Sequence, residues 1–223
     1  MRESRTIALK PANITFEQAA AVPIAAITAL QALRDKGRIQ PGQKVLVNGA
    51  SGGVGTFAVQ IAKSFGAEVT GVCSTKNVEL LRSLGTDHVV DYTREDFTLG
   101  GPRYDLIVDT VGNRSLLENR RALKSGGTYI GIGGGGPSEQ GFIGAMFGPI
   151  EELMLSPFVS QKLTFLLADM NQKDLGVLAD LMRAGKVMPV IDRRYELSEV
   201  PAAVAYLEAG HARGKVIISI DGP

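Results

Sequence analysis

The spacing of apolar residues along the chain changes period several times, and each change marks an element. Residues 44–49 (KVLVNG) are an apolar burst ending in glycine, and from Gly53 the apolar positions recur at helical spacing until Gly66. That pattern predicts strand, turn and helix. It then repeats, with Glu68–Cys73 as strand, Asn77–Leu84 as helix closed by Gly85, and His88–Asp91 as a short strand. Asp105–Asp109 (DLIVD) predicts a fourth strand, Arg114–Leu123 a helix, and Thr128–Ile132 a fifth strand entered through Gly126 and Gly127. Lys162–Leu167 (KLTFLL) is expected as a sixth, after a helix around Phe142–Leu155. Alternating strands and helices imply an α/β fold with a doubly wound parallel sheet. Beyond the helix Lys173–Ala184 the pattern shifts to VMPVIDRRYEL, a helix Ser198–Glu208 and a closing KVIISI. These last two strands, like the first 40 residues, fall outside the regular alternation.

Between the first strand and its helix, Gly49, Gly52 and Gly55 stand at three-residue intervals. Glycines so placed permit a tight turn, close approach of a ligand to the backbone, and close packing of helix on strand, and the free N–H groups there can hold a pyrophosphate. The plain alternative is a tight connection with no ligand. The end of the second strand adds information, because a fold that binds NAD places an Asp or Glu there for the ribose hydroxyls. Here the residues are Cys73, Ser74, Thr75 and Lys76. Two hydroxyls and an ammonium suit a phosphate, which favours NADPH over NADH. Helix capping by Ser74 or Thr75 and a solvated Lys76 are the competing readings.

Composition narrows the function class. Of 223 residues 44% are apolar and 21% charged, enough to bury a core, and the net charge of +1 gives no electrostatic footprint for nucleic acid or an anionic membrane. The 27 glycines cluster at 49–55 and 131–136 in place of a repeat. One cysteine, Cys73, rules out an internal disulfide and a four-cysteine zinc site, and fits a reducing cytoplasm. Met1–Phe16 has no apolar run of the signal-peptide kind, and Ala19–Leu30 is too short for a membrane span and contains Pro23. A remote alternative is a serine hydrolase, since Gly49-Ala50-Ser51-Gly52-Gly53 also matches the G-x-S-x-G nucleophile turn. It would need His88 or His211 as base for Ser51.

The segments ALKPANITFEQAAAVPIAAITALQAL, PGQKVLVNGASGGVGTFAVQIAKSFGAEV, YDLIVDTVG, SGGTYIGIGG and AGKVMPVIDRRYELSEVPAAVAYLEAGHARGKVIISI cover nearly the whole chain. Together they resemble the medium-chain dehydrogenase/reductase superfamily, in its zinc-independent quinone oxidoreductase branch that includes zeta-crystallin. The resemblance implies a dinucleotide on Ser51, Gly52, Gly53 and Val54, and a 2′-phosphate pocket of Ser74, Lys76 and Tyr92. It adds cofactor contacts at Val111 with Gly112 and at Ile132 with Gly133. It implies hydride transfer from NADPH to a small-molecule acceptor, a quinone or an activated carbonyl or alkene, with no evident side-chain acid or base. In zinc-dependent relatives a cysteine ligand stands four residues before the position of Thr28, where this chain has Ile24. No metal is therefore expected. Family members begin with a GroES-like catalytic domain of roughly a hundred residues, the size of an ordinary domain, and nothing in this sequence matches it. The expected organisation is a segment 1–40 leading from that domain, a Rossmann domain over 41–185, and a segment 186–223 returning toward it. Such a chain would be weakly active or inactive alone, and a non-catalytic NADPH-binding or interaction module is the alternative function. The resemblance also implies a homodimer paired through the sixth strand.

Overall fold

A strand in the middle of a parallel sheet is covered on both faces, so its side chains must be apolar nearly throughout. The runs KVLVN, EVTGVC and YDLIVD meet that demand and form β1 (Lys44–Asn48), β2 (Glu68–Cys73) and β4 (Tyr104–Asp109). With β3 (His88–Asp91), β5 (Leu123–Ile132) and β6 (Lys162–Leu166) they make one six-stranded sheet of order β3-β2-β1-β4-β5-β6, parallel at every pairing. This is the doubly wound sheet expected from the alternation. The computed structural model describes residues 6–101, 103–132 and 160–220, and the helix expected around Phe142–Leu155 lies outside them.

Register turns the alternation of side chains into two cores. Leu46, Ile107, Tyr129 and Leu163 are direct partners across four strands and share one face with Leu116 and Ala122 of α5 (Leu116–Ala122). The neighbouring rows, Val45 with Leu106 and Val47 with Val108 and Ile130, point to the other face. There they meet α2 (Pro23–Gln31), α3 (Gly53–Ser64), α4 (Val78–Ser83) and α6 (Gln172–Arg183). The helix expected at 114–123 starts later because Ser115 caps it. The Ser115 hydroxyl accepts from Glu118 N–H, and the Glu118 carboxylate accepts from Ser115 N–H at 2.8 Å. It ends sooner because Leu123 already has extended backbone and pairs with Tyr104, so β5 begins five residues before the predicted Thr128, with an irregularity in between.

The N-terminal segment packs on this sheet layer. Thr15 caps α1 (Phe16–Ala20), Pro23 opens α2, and Ala25–Gln31 are all buried, with α2 lying on α3 and α6. Gln31 and Arg34 both donate to the buried Asp174 of α6, at 2.7 Å each. Burial opposes ionisation of Asp174, yet the bonds from Arg34, Gln31 and Asn171 outweigh it and hold its carboxyl below the usual carboxylate range. At the other end, β7 (Ile191–Glu196) and β8 (Lys215–Ser219) pair with each other in parallel through α7 (Val200–Glu208), as a separate two-stranded sheet. Among the described residues no helix is long and apolar enough to cross a membrane.

Candidate functional site

Strand order reverses direction between β1 and β4, so the loops leaving their C-terminal ends diverge and open a crevice, the usual ligand site of such sheets. A cleft of about 900 Å³ lies there. Gly49 and Gly52 line it, and Gly55 packs behind them. Gly49 has φ +78°, in the left-handed region, and a Cβ on it would strike Thr110 Oγ1 at 2.4 Å. Gly52 is the N-cap of α3 and offers no side chain to cap it. Gly55 packs on the carbonyl oxygen of Gly49, where a Cβ would come within 2.1 Å. With no side-chain cap and no acidic residue in the first turn, the leading N–H groups of this 12-residue helix open on the cleft.

Ser51, Gly52, Gly53 and Val54 line the cleft, as do Ser74, Lys76, Tyr92 and Val111. Lys76 is exposed, and Tyr92 is fixed beside the end of β2 by its N–H bond to Cys73 O at 3.0 Å. Gly112 and Ile132 are not among the lining residues. Gly112 gives its N–H to Asp109 Oδ1 at 2.9 Å, and Ile132 packs against the main core. Gly133 lies outside the described residues. Thr75 also lines the cleft, but its hydroxyl donates to Asp91 at the end of β3, so it has no proton for a phosphate. That bond, then those from Thr93, holds the Asp91 carboxyl below the usual range despite desolvation, and it is ionised at neutral pH. Ser74 and Lys76 remain as donors. Asn77, which the sequence reading passed over, is buried and donates to Ser51 Oγ at 3.0 Å, tying the glycine turn to the end of β2.

Asn48, Asn113, His211 and Lys215 also line the cleft without having been singled out as ligand contacts. The hydrogen bond made by Ser51 Oγ is with Asn77, and neither histidine bonds to it. His88 starts β3 at the opposite end of the sheet, beside Glu68 at 3.1 Å. Among the described residues, then, no base is hydrogen-bonded to the Ser51 hydroxyl.

Residues 84–218 match the family described as zinc-binding dehydrogenase. The chain belongs to that family. As a zinc-binding dehydrogenase relative it is 36% identical to NAD(P)H oxidoreductase RTN4IP1, mitochondrial, of Mus musculus, over 95% of this chain and 57% of that protein. It is 35% identical to 2-methylene-furan-3-one reductase of Solanum lycopersicum, over 97% of this chain and 50% of the relative. Among solved structures, the quinone oxidoreductase from Coxiella burnetii superimposes with a TM-score of 0.82 at 30% identity, over 96% of this chain and 64% of that one. The chain thus spans about half to two thirds of the length of these relatives. The family's name implies zinc, but the donors among the described residues do not fit it. Among the described residues no three His, Cys, Asp or Glu side chains stand close enough to share a metal ion, and Ile24 at the cleft has no ligand atom. Cys73 is buried, and its thiol is pushed up to about 11 by desolvation and by Asp91.

Proposed function

We propose that this chain is the cofactor-binding part of an NADPH-dependent oxidoreductase that passes hydride to a quinone or an activated carbonyl or alkene. The observation that carries the reading is the uncapped start of α3, facing a crevice whose far wall holds Ser74 and Lys76 where an NAD-specific site would place a carboxylate. Bound there, a dihydronicotinamide would supply the hydride. The chain's own residues would do the positioning: α3 N–H groups on the phosphates, Ser74 and Lys76 on the 2′-phosphate with Tyr92 beside it, and Val111 along the wall. Orientation of donor against acceptor and exclusion of water are the protein's contribution to such chemistry. The relatives' names, which include NAD(P)H oxidoreductase and quinone oxidoreductase, support the same reading. In this proposal residues 41–185 form the dinucleotide domain, and segments 1–40 and 186–223 are where the rest of a longer relative would adjoin.

Calorimetric titration of both cofactors, followed by NADPH absorbance with a panel of quinones, tests it. Lys76→Ala is expected to weaken NADPH by about 1 to 3 kcal/mol and leave NADH nearly unchanged. Equal losses for the two would remove the 2′-phosphate assignment.

We also propose self-association through β6, which among the described residues is an edge strand of the six-stranded sheet, since an edge's N–H and C=O groups are a template for a second copy. Light scattering at tens of micromolar should report a dimer, and a strict monomer overturns this. Cys73, buried and unpaired, supports a reducing compartment. We keep the cytoplasm as the proposed one, although the mouse relative is named as mitochondrial.

A further inference from the structure

A helix is often preceded by Ser, Thr, Asp or Asn, whose side-chain oxygen accepts an N–H of the first turn. Asn77 holds that place ahead of α4 and does not cap it. The residue is 5% exposed, and its Oδ1 has no hydrogen-bond partner among the described residues. The carboxamide turns its nitrogen toward two serines instead, reaching Ser51 Oγ at 3.0 Å and Ser74 Oγ at 3.4 Å. Both serines are also pinned at the main chain, since Asn77 N–H donates to Ser74 O at 2.9 Å and Gly214 N–H to Ser51 O at 2.9 Å.

This orientation forgoes two stabilising contacts, the cap on α4 and a donor for the buried amide oxygen. Turning the amide over would be worse, because two N–H groups would then be buried without an acceptor in place of one oxygen without a donor. As it stands, each N–H of Asn77 meets a lone pair of one serine hydroxyl. A hydroxyl that accepts in this way directs its single proton elsewhere. Neither Ser51 nor Ser74 gives that proton to an acceptor among the described residues, and both line the cleft. A buried polar atom left without a partner calls for a reason, and local rules of this kind are broken chiefly at functional sites.

We propose that Asn77 is a positioning residue for dinucleotide binding, one that turns the hydroxyl protons of Ser51 and Ser74 into the cleft before the ligand arrives. The inference rests on the dinucleotide reading above. Asn77 touches no ligand itself, and its effect passes through the two serines. Ser51, on the glycine turn, meets the phosphates that NADPH and NADH share, whereas Ser74, after β2, meets the one that NADPH alone carries. Donors directed in advance spare the complex the ordering of two free rotors, and the amide behind them strengthens the bonds they make. Removing Asn77 therefore reaches both dinucleotides, and NADPH more deeply.

The test is calorimetry of NADPH and NADH on the wild type, Asn77→Ala and Asn77→Asp, and on the same three with Ser51→Ala and Ser74→Ala added, with melting curves of the ligand-free proteins. Asn77→Ala should weaken binding about threefold for each hydroxyl left undirected, so about threefold for NADH and about tenfold for NADPH. With both serines replaced, Asn77→Ala should change neither affinity further, because no hydroxyl remains to be directed. Asn77→Asp should do more harm than alanine while the serines are present, since a carboxylate accepts their protons and draws them away from the ligand. Its loss should shrink, once the serines are gone, to that of a nearby charge alone. If the wild type binds dinucleotide, three results overturn the proposal while the cofactor reading stands: Asn77→Ala binding as tightly as the wild type, an equal loss with and without the serines, or a loss of NADPH no larger than that of NADH. Should Asn77→Ala melt too low to be measured, Asn77→Asp decides, and wild-type affinity or an equal loss in both serine backgrounds defeats the inference. If the wild type binds neither dinucleotide, the cofactor reading falls, and this inference with it.

Discussion

Gly55→Ala should cost about 3 kcal/mol or more of folding stability, at the upper end of what an added methyl does in a packed interior. The reason is what the new Cβ would touch. It would stand 2.1 Å from the carbonyl oxygen of Gly49, 2.7 Å from Ala50 Cα and 2.9 Å from Ala50 C, all backbone. No side chain can rotate away, so either α3 lifts from β1 or the turn at 49–52 moves. Both outcomes separate Phe57 and Ile61, which are fully buried, from the valines of β1. For a chain of this size the loss lowers the melting temperature by about 6 to 12 °C. It should also weaken dinucleotide binding, since the N–H groups of α3 would no longer face the cleft as a set. The same substitution at Gly176 should act in the opposite direction. That glycine lies inside α6 with nothing within 4 Å of a Cβ and a backbone already helical, so alanine there should gain about 0.5 to 1 kcal/mol. Melting curves of the two variants decide the matter, and a Gly55→Ala protein that melts within a degree or two of the wild type defeats the argument.

The contrast shows what could be read from the chain without its fold. Gly49, Gly52 and Gly55 could be assigned their roles in advance because a turn between strand and helix is local. Strand positions such as Glu68–Cys73 and His88–Asp91 were legible for the same reason. What escaped was whatever depends on partners far away in sequence. Thr75 reads as a free hydroxyl until β3 brings Asp91 to it from 16 residues on. Lys215 reads as a strand residue near the C-terminus until Gly214 bonds to Ser51. Residues 25–31 read as part of an apolar stretch outside the regular alternation, and become core only when α3 and α6 pack around them. The closing strands fall outside the regular alternation and could be given no neighbour in advance, and in the fold they pair with each other, because α7 is long enough to return the chain for parallel pairing.

Asp109→Ala is expected to be the most damaging change near the cleft that leaves the glycine turn untouched. Asp109 ends β4 and is 1% exposed, and no salt bridge reaches it among the described residues. Four donors take the place of one. Asn48 Nδ2 at 2.9 Å, Val111 N–H at 3.0 Å and Gly112 N–H at 2.9 Å converge on Oδ1, and the Tyr129 hydroxyl reaches Oδ2 at 3.0 Å. Burial, then the Asp109 charge and this bond, raise the pKa of Tyr129 far above its ordinary value, so the phenol keeps the proton it donates. Alanine would leave all four donors without an acceptor, at about 1 to 3 kcal/mol for each that water cannot reach. The rim groups of Val111 and Gly112 can be hydrated, and Asn48 keeps its bond to Asn113, so a total of about 3 to 5 kcal/mol is expected. Asparagine should behave differently. Its oxygen can take the Oδ1 position and keep three donors, while its NH₂ meets Tyr129, whose hydroxyl can turn and accept where a backbone N–H could not. Asp109→Asn should therefore lose only about 1 kcal/mol and keep the 110–113 turn in place, with dinucleotide affinity close to the wild type. Tyr129→Phe in the Asn background should then change little. Urea unfolding followed by far-ultraviolet circular dichroism gives the stabilities, and calorimetry the affinities. If asparagine proves as harmful as alanine, the negative charge itself is required, and the account of Asp109 as an acceptor for fixed backbone donors is wrong.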